Sequence, residues 1–136
     1  MDHLTPEFDP KITRGATKLQ YGILITGAAV VKLTQANNLL TAADLEDRDD
    51  PTEPVDYQTC RVPLIKYLRK KTGAYLYLRN AFSRVDTLLV ITLYDNYSME
   101  RERYEDANEK RVIEIVQEIT GIKDIPRWHY DFSCNF

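Results

Sequence analysis

Cysteine is scarce in this chain. Cys60 and Cys134 are its two, far apart and without CxxC or Cys/His spacing, which excludes the usual zinc sites and a disulfide-stapled scaffold. A single Cys60–Cys134 disulfide stays geometrically open, but two free buried thiols are expected in a reducing compartment. Long apolar runs are missing as well. The longest uncharged stretch, Leu19 to Val31, has thirteen residues, and a membrane-spanning helix needs about 20. The N-terminus "MDHLTPEFDPKITRG" has no basic segment leading into an apolar one, so no signal peptide is expected. These absences lead us to expect a soluble, cytoplasmic protein without a membrane partner. A basic excess is also lacking: 18 Lys and Arg stand against 21 Asp and Glu, a net charge of −3. Phosphate neutralisation drives nucleic-acid binding, so a dedicated nucleic-acid partner is not expected.

What the chain does have is enough to fold. Its 136 residues are 43% hydrophobic and 29% charged, which suits one domain with a sizeable core. Nine tyrosines against one tryptophan offer apolar bodies with polar tips for strands or groove rims. Residues 1–15, with Pro6, Pro10 and Gly15, read as an extended N-terminal arm before a single domain, 16–136. The acidic segment "DLEDRDDPTEPVD", Asp44 to Asp56, reads as a surface connection. Its spacing does not match a calcium loop.

In the second half, "PLIKYLRKKTG" has Pro63 where helices start and Gly73 where they stop, which predicts a helix over 63–72. Tyr75, Tyr77 and Arg79 alternate with Leu76 and Leu78 as in a half-buried strand. "DTLLVITLYD" is apolar on both faces and predicts a central strand, 86–94, covered on both sides by this chain or by a partner. Ala81 to Val85 would join these strands as a hairpin. Ser98 would cap a long helix over about 99–120, with Val112, Ile115, Val116 and Ile119 facing inward and Gly121 ending it. "IPRWHYDF" predicts a last strand, 127–132. Thr41 with Asp44 has the spacing of a helix cap, so a helix near 42–48 is expected.

The first half turns on "LQYGILITGAAVVKL". Leu19, Tyr21, Ile23 and Ile25 alternate with Gln20, Gly22, Leu24 and Thr26, as in a strand. If a helix follows Gly27, the chain reads as an α+β protein of ferredoxin-like, split βαβ type: a two-layer sandwich with one extra inserted helix. The alternatives are an N-terminal β-hairpin or a single long N-terminal helix. "ILITGAA" resembles the first strand and turn of short-chain dehydrogenases, a Rossmann family. That resemblance implies a dinucleotide seated on glycines after the turn. Val30, Val31 and Lys32 stand at those positions and would hold a dinucleotide off the backbone, so no cofactor is expected.

Two groups of residues are candidates for a site. Arg127, His129 and Asp131 project to one face of the last strand, where Arg can hold an anion, His can move protons and Asp can orient it. A solvated strand face opposite Trp128, Tyr130 and Phe132 has the same pattern. Tyr75, Tyr77 and Arg79, beside Lys66, Arg69, Lys70 and Lys71, form a basic-aromatic stretch that could bind by stacking bases, the alternative being a solvated helix end followed by a half-buried strand. No nucleophile elbow, zinc-protease helix or phosphate-binding glycine loop is present. The expectation is a non-enzymatic binding or regulatory module that binds itself or another protein, self-associating through its sheet. The alternative is a small lyase, isomerase or cyclase-like enzyme that works on a small molecule with acid-base side chains alone.

Overall fold

A computed structural model of the protein describes residues 3–46, 55–81, 88–102 and 105–131. The opening stretch breaks where its glycine stands. Leu19–Thr26 is strand β1 and Gly27–Ala36 is helix α1. Thr26 ends the strand and caps the helix, its hydroxyl accepting the Ala29 amide at 3.1 Å. The short helix α2, Ala42–Glu46, opens on a reciprocal capping box. The Asp44 carboxylate accepts the Thr41 amide at 2.7 Å, and the Thr41 hydroxyl accepts the Asp44 amide at 3.3 Å.

Helix α3 spans Tyr57–Thr72, beginning six residues before the expected 63–72. The Asp56 side chain accepts the Thr59 amide at 3.0 Å and so fixes the start. Pro63 therefore lies inside the helix, where it forfeits one backbone bond. Gly73 ends α3 in the left-handed conformation, φ 70°, as its position suggests. Strand β2, Tyr77–Asn80, and strand β3, Leu88–Asp95, follow. The expected hairpin loop 81–85 lies outside the described residues beyond Ala81.

The single helix expected over 99–120 is two. Met99–Glu102 is α4 and Asp106–Thr120 is α5, with Glu105 in an extended conformation between them. Ser98 closes the turn before α4. Its hydroxyl accepts the Asp95 amide, while the Asp95 carboxylate accepts the amides of Tyr97 and Ser98. Val112 and Val116 of α5 are buried; Ile113 and Ile119 pack partly against the core, whereas Ile115 of the expected stripe does not. Strand β4 is Arg127–Tyr130, shorter than the expected 127–132. Asp131 continues it as an isolated bridge, and Phe132 lies outside the described residues.

The four strands form one antiparallel sheet in the order β2-β3-β1-β4. The chain is thus α+β with its two central strands, β1 and β3, each apolar. One face packs under the helices. Ile23, Ile25, Leu89 and Ile91 lie there with Leu64, Leu68, Val112 and Val116, and Tyr21 stacks on Tyr94 (5.1 Å between ring centroids) beside Trp128. A bulge places Leu93 opposite the Tyr21–Gly22 step of β1. Among the described residues the other face carries no helix, and it is still closed over. Ala81, after edge strand β2, forms an antiparallel bridge to Asp131, after edge strand β4. Flat edges of a four-stranded sheet stand about 14 Å apart, and a bridge brings Cα atoms to about 5 Å. The sheet therefore curls around its helix-free face. Val90 and Thr92 on that face are 0% and 1% exposed. The apolar run of β3 thus finds cover on both faces within one chain and does not need a partner to supply it.

The N-terminal segment is anchored, not free. It carries a 3-10 turn at Pro6–Phe8, and Phe8 is part of the core. Asn96, buried at the end of β3, donates to the Phe8 and Thr17 carbonyls and accepts the Leu19 amide.

Candidate functional site: the helix-free face and the α3–β2 cleft

β4 is antiparallel to β1 with His129 opposite Gln20 and Arg127 opposite Gly22. Arg127, His129 and Asp131 therefore share the helix-free face with Lys18, Gln20 and Gly22. Their surroundings differ. Arg127 is exposed, His129 half-buried and Asp131 buried. Asp131 belongs to a buried chain of polar groups: Gln20 donates from Nε2 to its Oδ2 at 2.6 Å, and the Thr92 hydroxyl donates to Gln20 Oε1 at 2.5 Å. Lys18 Nζ stands 3.9 Å from the Asp131 carboxylate and 3.8 Å from that of Asp95. Burial holds the His129 imidazole below its usual pKa, Arg127 adds to this, and a hydrogen bond to the Gly22 backbone opposes it. Gln20, Thr92 and Lys18 are the members of this group that sequence reading misses. A polar residue inside a strand pattern looks solvent-facing until the curl of the sheet is known.

A second constellation lies where α3 runs beside edge strand β2. Ala81 donates to the Leu88 carbonyl, so by alternation the backbone groups of Leu78 point outward from the edge. Arg61 of α3 takes that outward carbonyl, donating from Nη2 to Leu78 O at 2.8 Å, and Arg69 donates from Nε to Leu76 O at 2.7 Å. An edge strand with bare carbonyls invites pairing with another chain, and two arginines blunt it here. The Arg69 guanidinium also lies 4.0 Å from the Tyr75 ring centroid and 5.9 Å from that of Tyr77. Arg79 lies over Tyr77 at 4.5 Å. Tyr75 and Tyr77 meet edge to face at 5.3 Å. The expected binding trio Tyr75, Tyr77 and Arg79 is thus brought together as one ladder of rings and guanidiniums. Tyr75 precedes β2 and is 63% exposed.

Between α3 and β2 lies a cleft of about 390 Å³, lined by Arg61, Arg69, Tyr77 and Arg79 together with Gln58 and Ile65. Among the described residues no carboxylate stands within ion-pair distance of any of these three arginines; the ion pairs are made by Lys11 and Lys18. The local sequence explains this. From Tyr57 through Ala81 there are six Lys and Arg and not one Asp or Glu, in a chain with net charge −3. That acid-free run is the signal by which Arg61 could have been added to the trio. A further cleft of about 260 Å³ is lined by Asp9, Lys11, Asn96, Tyr97 and Glu100, and Lys11 pairs with Glu100 across it.

Cys60 is a free, fully buried thiol in α3, its pKa pushed up by burial. Cys134 lies outside the described residues, as does most of the acidic stretch after Glu46. Among the described residues no group of His, Cys, Asp and Glu is placed to hold a metal ion, and no helix is long and apolar enough to cross a membrane.

Comparison with protein-family models, with curated proteins and with solved structures finds no match for the chain. Function has to be read from the geometry of the two constellations.

Proposed function

We propose that this protein is a non-enzymatic binding module whose contact surface is the α3–β2 edge, built on a ferredoxin-like scaffold. The scaffold reading is supported by the strand order, which read from the other edge is β4-β1-β3-β2, with α1, α2 and α3 on the first crossover and α4 and α5 on the second, where the pattern needs one helix on each. The observation that carries the binding reading is the location of the clefts. The one beside β2 is lined by Tyr77 and Arg79, whereas Arg127, His129 and Asp131 line neither cleft. A ladder of exposed tyrosine and of arginine that makes no ion pair among the described residues offers contact area and directed donors, the residue types that carry binding energy at contacts.

The test compares four variants by proximity labelling in the native host. Tyr75→Ala and Arg79→Ala should change the set of labelled molecules, while Arg127→Ala and His129→Ala leave it as in the parent. The opposite pattern sinks the reading.

One observation favours a second reading, a small cofactor-independent lyase, isomerase or cyclase-like enzyme. Lys18 stands between two nearly buried carboxylates on the face that also carries His129, an arrangement able to give and take protons. In that case Asp131→Asn would abolish turnover of any substrate found.

A further inference from the structure

We infer that the α3–β2 cleft is a binding site for clustered phosphate oxyanions, such as a pyrophosphate or the phosphate chain of a nucleotide. The inference rests on the binding reading of this edge and gives its ligand a chemistry. Three arginines line one cleft of about 390 Å³, a size within the range of small-ligand pockets. Like charges gathered in one place repel, and no carboxylate among the described residues offsets them. Two of the three are instead held by backbone carbonyls, Arg61 on Leu78 and Arg69 on Leu76, and Arg69 and Arg79 are braced against tyrosine rings.

These contacts fix the guanidiniums without neutralising them. Each guanidinium has five N–H donors. Arg61 commits Nη2 to Leu78 and Nη1 to the Gln58 side chain, and Arg69 commits Nε, while the Arg79 contact is to a ring face. The remaining donors are pre-positioned, and the site offers them in excess of acceptors. A single carboxylate brings one negative charge. A phosphate brings about two, and its oxygens accept the forked donor pairs that arginine, unlike lysine, presents. Charge matching therefore favours phosphate over carboxylate. The open face of Tyr75, 63% exposed beside Arg69, gives a nucleotide's base a surface to stack on, so a nucleotide should bind tighter than pyrophosphate alone.

The experiment is a calorimetric titration of the full chain at low salt with pyrophosphate, a nucleoside triphosphate and the bare nucleoside. Pyrophosphate should bind saturably with a Kd of about 1 mM or tighter, weakening as salt is raised. Among the described residues the Arg79 side chain makes no hydrogen bond to the backbone, unlike Arg61 and Arg69, so Arg79→Gln should keep the parent's melting temperature and weaken binding at least about tenfold. Arg69→Lys keeps the charge, loses the fork, and should weaken it as well. Tighter binding of the triphosphate that is lost in Tyr75→Ala identifies a nucleotide as the source; equal binding identifies a free polyphosphate. No saturable binding of either anion, or binding unchanged in both arginine variants, overturns the inference. Should Arg79→Ala still alter the labelled set while no phosphate binds, the phosphate chemistry fails and the binding surface stands; should Arg79 matter to neither, both fall.

Discussion

Gly22 is the residue with the least room. A Cβ built there would lie 2.0 Å from the Ile91 carbonyl oxygen and 2.8 Å from the Val90 side chain. The obstacle is partly the backbone of the neighbouring central strand, which cannot swing aside as a side-chain tip can. Gly22 sits at the step where the β3 bulge shifts the register, so the two strands approach closely there. Gly22→Ala is expected to cost about 3 kcal/mol or more, by overpacking. Urea unfolding measures it, and a loss below about 0.5 kcal/mol would show that the strands do not approach this closely. On the same face His129 sets a pH response. Its folded pKa lies below the usual 6.5 through burial. Between the two values the unfolded chain binds more protons than the folded one, so stability rises with pH through this window and is lost as pH falls below about 6.5. His129→Gln should flatten that part of the curve of melting temperature against pH. A slope unchanged by the variant would assign the response to another group.

The elements differ in how openly the sequence announces them. The break between β1 and α1 is legible because alternation ends at Thr26, a residue that prefers caps to helix interiors, and Gly27 can follow it. The box of Thr41 and Asp44 is legible for a similar reason: both partners of the bond pair lie three residues apart in sequence. The start of α3 is not legible. Asp56 ends an acidic stretch that reads as loop, and Pro63 imitates a first-turn proline although α3 begins at Tyr57. The division between α4 and α5 is hidden because charged residues of high helix propensity continue across it. The cap at Asp56 can be tested directly. Asp56→Ala removes the acceptor for the Thr59 amide and is expected to cost about 1 kcal/mol, with Asp56→Asn close to neutral. Equal urea midpoints for the alanine variant and the parent would place the effective start of α3 elsewhere. The candidate sites divide along the same line. Tyr75, Tyr77 and Arg79 could be read because a two-residue alternation puts them on one face. Arg61 shares their acid-free run, but its place beside them depends on how α3 lies along the edge of β2.

At the scale of the whole molecule, the sheet's curl converts a polar strand face into a second interior. Thr92 lies in a strand whose apolar run asks for cover on both faces, and Gln20 alternates with the apolar positions of β1; they are 1% and 0% exposed. Burial in such a place demands partners, and the chain Thr92–Gln20–Asp131 supplies them by linking β3, β1 and the end of β4. The bridge between Ala81 and Asp131 joins the two edges over the same ground. If the network and the curl are one unit, its members cannot contribute independently. Gln20→Ala takes one donor from the Asp131 carboxylate, which keeps Lys18 3.9 Å away, and one acceptor from the Thr92 hydroxyl, which keeps the Val90 carbonyl, while Asp131→Ala takes the acceptor from the Gln20 amide. Each single change is expected to cost about 2 kcal/mol. The double variant should cost less than the sum by about 1–3 kcal/mol, because either single change already breaks the Gln20–Asp131 bond. Urea unfolding of the four proteins of the cycle gives this coupling energy. Additivity within about 0.5 kcal/mol would mean that the buried polar chain does not act as a unit, and that the curl is held by the backbone bridge and apolar cover alone.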